Sequence, residues 1–261
     1  MGEKTGISWT DHTFNIAWGC FKVSAGCANC YALDLAKRYG HDVWGTAQRR
    51  VFGANHWKEP LKWDKAAEKA GVPAKCFSSS MCDIFEDHIA IEQERAKLWD
   101  LIRVTPNLQW QLVTKRANRI AANLPSDWGR GYPNVWLGVS IENENHVDRF
   151  NHHLRHIPAV VRFISYEPAL GSLNGLKFEG LDWLIFGGES GPRFRQMDIQ
   201  WARTAKHICE INETMFYYKQ TAGRGPRMES TMDGKHIYNF PVPRKVPTPA
   251  SFRVQPQLFT W

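Results

Sequence analysis

Three cysteines near the start of the chain have a spacing that could bind metal. Cys20, Cys27 and Cys30 follow the pattern Cys-x6-Cys-x2-Cys, between a strand-like run and a helical pattern. Three thiolates on one loop can hold three irons of a 4Fe-4S cluster and leave the fourth iron open for a small molecule. A structural zinc site has four ligands, so His12 or His41 would have to complete it. The cluster is the favoured interpretation, with zinc or three inert buried thiols as the alternatives.

Polar side chains follow the predicted strands at their carboxyl ends. In parallel α/β folds the reactive groups lie at this edge of the sheet. Any one of these residues could instead cap a helix or form a salt bridge, but their coincidence over seven strands predicts an active site. The side chains include Ser80, Asp83, Lys115, Arg116, Ser140, Glu142, Glu167 and Glu189.

The elements that would position these groups are seven short apolar runs that alternate with helical patterns. Most runs are apolar on both faces, which is typical of parallel strands covered on both sides. The alternation predicts an α/β fold, an open or partial (β/α) barrel, with a doubly wound sheet as the alternative. The predicted strands cover residues 14–18, 75–80, 108–114, 134–141, 161–166, 181–186 and 214–218, and the predicted helices cover residues 28–39, 89–103, 116–123, 145–156 and 199–211.

The chain divides into a predicted barrel domain, residues 1–223, and a tail, residues 224–261. Residues 41–74 form an insertion after the first β/α unit. The tail is rich in proline and has six Lys or Arg against two Asp or Glu, so it carries +4 of the net charge of +7. This charge suits a polyanionic partner. A solvated tail, or one packed on the barrel, agrees equally well with the composition.

The composition is that of a globular protein without a need for disulfide bonds. Of the 261 residues, 43% are hydrophobic and 23% are charged, close to globular averages. No stretch approaches roughly 18 uninterrupted apolar residues, and the amino-terminal segment has no apolar signal core. We therefore expect a cytoplasmic protein with no membrane association, whose six cysteines are reduced.

Eight motifs along the chain carry a family resemblance. They are ISWTD (7–11), the cysteine loop (19–31), SMCDIF (80–85), LVTKR (112–116), WLGVSIE (136–142), YEPALG (166–171), GGESG (187–191) and YKQ (218–220). With these motifs, residues 1–223 resemble the phage-associated three-cysteine family of radical S-adenosylmethionine (radical SAM) proteins. A phage-encoded chain would work in the host cytoplasm.

The resemblance implies two cofactors, a 4Fe-4S cluster and S-adenosylmethionine (SAM). Proteins of this type cleave SAM reductively to a 5′-deoxyadenosyl radical that abstracts hydrogen from a substrate, while the protein positions the reactants and excludes water. The implied site has cluster ligands Cys20, Cys27 and Cys30, cofactor contacts Tyr31, Ser80, Asp83, Ser140 and Glu142, and catalytic candidates Cys82, Lys115, Glu167 and Glu189.

The cysteine loop departs from the usual superfamily pattern. That pattern spaces the cysteines x3 then x2 and has an aromatic residue before the last cysteine. Here the first gap is six residues, Asn29 holds the aromatic position, and Tyr31 follows the loop. The Gly-Gly-Glu motif, Gly187-Gly188-Glu189, follows a later strand than in the superfamily, so its role in holding the methionine amino group does not transfer directly.

Cys82 is separate from the cysteine loop and stands beside Asp83 near a strand end. Its thiol could donate hydrogen to a product radical, although a small buried apolar filler is the commoner role. Cys76 and Cys209 fall inside a strand and a helix and are expected in the core.

The resemblance and the basic tail both favour a nucleic-acid substrate. The leading hypothesis is a radical SAM enzyme that modifies a nucleobase in DNA, such as an isomerase that converts an N-linked amino-acid adduct of thymidine, for example glycyl-thymidine, to the C-linked form. The alternatives are a radical SAM lyase that repairs a DNA lesion and a non-catalytic, zinc-stabilised nucleic-acid-binding protein. The expected partners are DNA or a nucleotide and an external flavodoxin- or ferredoxin-type electron donor. Aromatic residues of the tail could stack on a strand of nucleic acid.

Overall fold

A computed structural model describes residues 5–225 and 229–253. Strands alternate with helices over most of this length. The strands are β1 (His12–Phe14), β2 (Ala17–Trp18), β3 (Arg50–Val51), β4 (Ala74–Ser78), β5 (Leu108–Thr114), β6 (Val135–Ser140), β7 (Val161–Tyr166), β8 (Trp183–Gly187) and β9 (Met215–Gln220).

Seven of these strands form one parallel sheet that curls into a half-barrel, which confirms the predicted partial (β/α) barrel. The strand order is β1-β4-β5-β6-β7-β8-β9, and the pairs of neighbours run parallel. Because the order follows the chain without reversal, the doubly wound alternative is wrong. The predicted first strand, residues 14–18, is also wrong: β1 ends at Phe14, and β2 pairs antiparallel with β3 outside the main sheet.

The α-helices are α1 (Tyr31–Arg38), α2 (Ala54–Trp57), α3 (Glu59–Ala70), α4 (Ile89–Arg103) and α5 (Ile199–Ile211). The bounds of α4 and α5 agree with the prediction, and side chains cap both amino-terminal ends. Asp198 Oδ1 accepts from Gln200 N at 2.8 Å, and His88 Nδ1 accepts from Ala90 N at 3.2 Å. The insertion, residues 41–74, contains β3, α2 and α3.

Two predicted helices are wrong. Residues 116–123 form two short 3₁₀ turns, and Pro125 disfavours helical continuation because it restricts the residue before it. Residues 145–156 form a 3₁₀ turn, a π-helical turn and a second 3₁₀ turn. Within the π-helical turn the buried Asn151 donates to Gly175 O at 2.8 Å and accepts from Lys177 N at 2.9 Å, which ties the turn to a neighbouring loop.

The two faces of the sheet bury separate clusters. The outer face packs against the helices through side chains such as Trp110, Leu137 and Phe186. The inner face carries an aromatic cluster at the amino-terminal ends of the strands, where Trp183 meets Trp136 edge to face at 5.8 Å between ring centroids. We call this cluster the barrel floor; its buried members are Trp9, Trp136, Val160, Val161, Phe163, Trp183, Ile185 and Tyr217.

Part of the predicted tail packs on the barrel floor instead of extending into solvent. Tyr238 stacks on Tyr217 at 4.6 Å, Phe240 contacts Trp183 at 5.2 Å, and Asn239 O accepts from Trp183 Nε1 at 2.8 Å. Beyond them, Arg244 Nη1 lies 2.7 Å from an oxygen of Asp182 and Phe252 packs edge-on against Tyr132 at 4.8 Å. Three of the basic and aromatic residues of the tail, Arg227, Phe259 and Trp261, lie outside the described residues.

Candidate active site

A cavity of about 850 Å³ opens where the parallel strands end. Strand alternation aims every second residue into it, so Ser140, Ser165 and Lys219 face inward from three different strands. Eleven of the twelve predicted site residues line this cavity: Cys20, Cys27, Cys30, Tyr31, Ser80, Cys82, Asp83, Lys115, Ser140, Glu167 and Glu189. The twelfth, Glu142, is not among the lining residues.

The three thiols of the cysteine loop are partly buried at this cavity and form no disulfide. A 3₁₀ turn, Ala25–Cys27, shapes the loop, and Cys30 directly precedes α1. Burial raises the pKa of the Cys20 and Cys30 thiols above the ordinary value. Binding to iron would therefore release protons from these thiols.

Acidic side chains at the ends of β6 and β8 hold the cysteine loop in place. Ser24 Oγ donates to Glu142 Oε1 at 2.7 Å, and Asn29 Nδ2 donates to Glu189 Oε2 at 3.1 Å. Arg195, which also binds Glu189, donates to Ala25 O at 3.1 Å. The loop is thus attached to the sheet through its middle, at Ser24, and near its end, at Asn29.

Glu142 is fully buried beneath the loop, away from the cavity wall. Lys115 Nζ lies 2.7 Å from its Oε1, Arg149 Nη1 lies 2.9 Å from its Oε2, and His146 Nε2 is 3.7 Å from Oε2. Burial alone would raise the pKa of this carboxyl, but Lys115 and Arg149 hold it below its ordinary value. A Cβ on Gly26 would come within 2.5 Å of Glu142, so the loop lies directly on the carboxylate. These contacts indicate an anchor for the loop, and a cofactor contact of Glu142 stays a prediction.

Glu189 forms a two-pronged ion pair with Arg195. Arg195 Nη2 lies 2.5 Å from Oε1 and Arg195 Nε lies 2.9 Å from Oε2. Burial would raise the pKa of Glu189, but the hydrogen bonds from Arg195 and Asn29 hold it below the ordinary value. The carboxylate therefore stays charged at neutral pH and joins the cysteine loop to the end of β8.

An ion pair crosses the inner face of β8. Glu167 follows β7, and its Oε1 lies 2.6 Å from Nζ of Lys219 on β9. Ser165 Oγ donates to Glu167 Oε2 at 3.1 Å. The strand between them carries Gly187 at this level, and a Cβ there would lie 2.7 Å from Glu167 Oε1. The first glycine of the Gly-Gly-Glu motif thus clears space for the pair. Gly188 packs against the backbone of Ala222, where a Cβ would lie 2.2 Å from its nitrogen.

The end of β4 presents Ser80, Cys82 and Asp83. Tyr31 OH donates to Ser80 O at 2.9 Å, which joins the start of α1 to this strand end. Burial raises the pKa of Cys82 to about 12, so its thiol stays protonated at neutral pH. Asp83 Oδ2 lies 2.9 Å from Arg116 Nη1, and its Oδ1 accepts from Thr114 Oγ1 at 2.7 Å.

The three thiols that line the cavity are donors of the kind that bind an iron–sulfur cluster. In the parts of the chain that the structure describes, no three His, Cys, Asp or Glu side chains converge as ligands of one ion. A cluster binds each cysteine at a different iron, so its ligands lie farther apart than those of a single metal. His12 stacks on Trp63 at 4.6 Å, His41 packs against Trp18 at 5.5 Å, and neither lines the cavity, so neither favours a zinc site.

Several residues that shape the site were not predicted. Arg49, Glu86, Arg149 and Arg195 each form buried or partly buried ion pairs around the cysteine loop. Glu86 directly follows the SMCDIF motif, so its position next to a motif could have indicated it. The other arginines lie in stretches of the sequence without a distinguishing pattern.

Comparison with known proteins identifies a family. A family model described as a protein of unknown function, DUF5131, matches residues 4–241. The chain belongs to this family. No curated protein matches the DUF5131 chain significantly.

Solved structures with a similar fold are those of spore photoproduct lyase. A variant of that enzyme with bound AdoMet and dinucleoside spore photoproduct has 14% sequence identity and a TM-score of 0.48, over 81% of this chain and 63% of the lyase. The lyase complexed with dinucleoside spore photoproduct has 14% identity and a TM-score of 0.46, over 79% of this chain and 63% of the lyase. The DUF5131 chain thus spans less than two thirds of the length of these lyases.

Proposed function

We propose that this chain is a radical SAM enzyme that abstracts hydrogen from a modified nucleobase in DNA. The observation that carries the proposal is the position of Cys20, Cys27 and Cys30, which all line one cavity at the strand ends together with charged and hydroxyl side chains. Bound to these thiolates, a 4Fe-4S cluster would supply the electron that cleaves SAM, and SAM would supply the hydrogen-abstracting radical.

The residues of the cavity divide between the cofactor and the substrate. Ser80 and Asp83 follow β4, and Tyr31, the last residue of the cysteine loop, donates to Ser80 O; this proximity supports SAM contacts for all three residues. Glu167 and Lys219 form an ion pair on another part of the cavity wall, and each could exchange this partner for a charged group of the substrate. Such a pair can bind an aminoacyl group, because Glu167 accepts from its ammonium group and Lys219 donates to its carboxylate.

The proposed reaction is an isomerisation of an aminoacyl adduct of thymidine. A hydrogen atom leaves the carbon next to the amine, the bond from the base to nitrogen breaks, and a bond from the base to that carbon forms. A hydrogen atom then returns to the nitrogen. Substrate and product have the same composition, so the reaction needs no further oxidant or reductant. Lys115 is paired with Glu142, and Glu189 is paired with Arg195. These ion pairs favour a role in positioning over proton transfer for both Lys115 and Glu189.

A DNA-lesion lyase is the second candidate, and Cys82 favours it. Its protonated thiol lines the cavity within the same strand-end segment as Ser80 and Asp83. A thiol at this position could return a hydrogen atom to a product radical. In a lyase, Cys82→Ala would therefore yield abortive products, whereas an isomerase that returns the hydrogen by another route would keep its product.

DNA or a nucleotide is the proposed substrate, and a flavodoxin- or ferredoxin-type protein in the cytoplasm is the proposed electron donor. The excess of 33 basic over 26 acidic residues supports a polyanionic partner. None of the helices in residues 5–225 and 229–253 has the length and apolar character needed to cross a membrane.

Anaerobic reconstitution tests the proposal. We expect the purified protein to take up iron and sulfide, and to form 5′-deoxyadenosine when dithionite and SAM are added. Replacing Cys20, Cys27 and Cys30 together by alanine should abolish the cluster absorbance and SAM cleavage. Cys209→Ala is the matched control, because that thiol is buried in α5 and does not line the cavity.

The outcomes separate the candidate functions. A protein that takes up zinc but no iron and sulfide would contradict the enzyme and favour the zinc-stabilised nucleic-acid-binding alternative. Retention of a cluster by the triple variant would contradict the ligand assignment. Mass spectrometry of nucleosides from treated DNA then distinguishes an isomerised adduct from a cleaved lesion.

A further inference from the structure

An arginine at the end of β5 contacts the first cysteine of the loop. Arg116 Nη1 lies 3.7 Å from Cys20 Sγ, and its Nη2 donates to Phe21 O at 2.8 Å. The same Nη1 lies 2.9 Å from Asp83 Oδ2. One planar guanidinium therefore holds the thiol, the adjacent backbone and an acid of the cavity wall in fixed relation.

A buried ion pair fixes Arg116 from the other side. Glu86 Oε1 lies 3.3 Å from Arg116 Nη2 and accepts from Phe21 N at 2.7 Å. Arg49, which lies in the insertion, donates two hydrogen bonds to Glu86. Arg49 Nε lies 2.9 Å from Glu86 Oε2, and Arg49 Nη2 lies 3.0 Å from Glu86 Oε1. Only 2% of the Arg49 side chain and 4% of the Glu86 side chain are exposed. The insertion thus contributes to the surroundings of Cys20.

We propose that Arg116 raises the reduction potential of the cluster bound through Cys20, an inference that rests on the proposed function. Reduction adds one negative charge to a cluster. A cation that donates an N–H hydrogen bond to a ligand sulfur stabilises the reduced form more than the oxidised form. Arg49 and Glu86 are positioning residues, since they act on the cluster through Arg116.

Redox titration of the reconstituted protein without SAM tests this inference. We expect Arg116→Gln to keep its iron and sulfide but to show about a tenfold smaller equilibrium constant for one-electron reduction, which corresponds to a midpoint about 59 mV more negative. Arg116→Lys keeps the charge and loses the planar fork, so its midpoint should fall between the two. The midpoint is followed by the EPR signal of the reduced cluster.

Arg119→Gln is the matched control, because it removes the same charge one turn farther on. Arg119 donates to Phe85 O and pairs with Asp87, away from the cysteine loop. The midpoint of the Arg119→Gln cluster should equal that of the wild type. A shift as large as that of Arg116→Gln would show a nonspecific charge effect and would overturn the inference.

The remaining outcomes separate the inference from the proposed function. A cluster-loaded Arg116→Gln protein with the wild-type midpoint overturns the inference alone. A wild-type protein that assembles no iron–sulfur cluster overturns both. If Arg116→Gln binds no cluster, the midpoint of Arg116→Lys decides the question. A value more negative than that of the wild type supports the inference, and an equal value overturns it.

Discussion

At the scale of single residues, the site is built from charged side chains that are paired before any ligand arrives. Glu142, Glu189, Glu167 and Asp83 each contact a cation within 3 Å. Removing one member of a buried pair leaves the other charge without compensation, which is strongly destabilising. Such pairs fix the geometry of the site.

Glu142→Gln should lower the free energy of unfolding at neutral pH by roughly 3 to 5 kcal/mol, because Lys115 and Arg149 lose their buried partner. The folded-state pKa of Glu142 lies below its ordinary value of 4.5. Its contribution is therefore present above pH 4.5 and is lost as the pH falls through the lower folded-state pKa. The difference between wild type and variant should shrink in that acidic window, as measured by urea unfolding.

Glu144→Gln is the control for this comparison. Glu144 lies two residues away and forms an exposed hydrogen bond with Ser172 Oγ at 2.8 Å. Its substitution should change the stability by less than about 0.5 kcal/mol. A Glu142→Gln difference that stays constant into the acidic window would contradict the ion-pair explanation.

At the scale of elements, an ion pair joins the end of β7 to β9 across β8, because β8 has no side chain at that level. Gly187 on β8 leaves room for Glu167 and Lys219 to meet over it. The double glycine therefore has a steric function in this chain. Its third member, Glu189, anchors the cysteine loop through Asn29 and Arg195.

Gly187→Ala should displace the Glu167 carboxylate from Lys219, because the new Cβ would lie 2.7 Å from Oε1. If this pair binds substrate, turnover should fall by roughly tenfold to a hundredfold. Iron content should stay at the wild-type value, since the Cys ligands are on another element. Product formation and iron content are both measured on the reconstituted protein.

Gly53→Ala controls for the loss of a glycine. Its backbone has an ordinary φ of −76°, and nothing lies within 4 Å of the added Cβ. Both the turnover and the iron content of this variant should match the wild type. Wild-type turnover in Gly187→Ala would show that the ion pair has no part in the reaction.

At the scale of the whole molecule, the two ends of the described chain close the bottom of the half-barrel. Trp9 from the amino-terminal segment and Phe240 from the carboxyl-terminal segment both pack against Trp183. Lys75 Nζ lies 5.0 Å from the Phe240 ring centroid. The barrel floor is thereby covered, and the cavity extends from Trp9 of this floor to the opposite ends of the strands.

Phe240→Ala should lower the free energy of unfolding by about 1 to 2 kcal/mol, because the ring loses its contacts with Trp183 and Tyr217. Val242→Ala is the control, since Val242 is 89% exposed and should change stability by less than about 0.5 kcal/mol. Equal effects of the two substitutions in urea unfolding would contradict the packing role of this segment.

The sequence by itself determined the α/β alternation and the edge at which the polar residues gather. Parallel strands end at one edge, so residues that follow them meet in space wherever they lie in the chain. For this reason eleven of the predicted side chains line one cavity. The identity of the cofactor and of the substrate stays a proposal that rests on these residues.

Only the tertiary structure decided which partner each charge takes. Ser24 and Glu142 are 118 residues apart, and Arg195 and Ala25 are 170 residues apart, so no local pattern could pair them. The same holds for the tail, whose aromatic residues suit nucleic acid by composition, while Tyr238 and Phe240 among its described residues pack on the barrel floor. Local periodicity sets the elements, whereas pairing depends on distances that exist only after those elements have packed together.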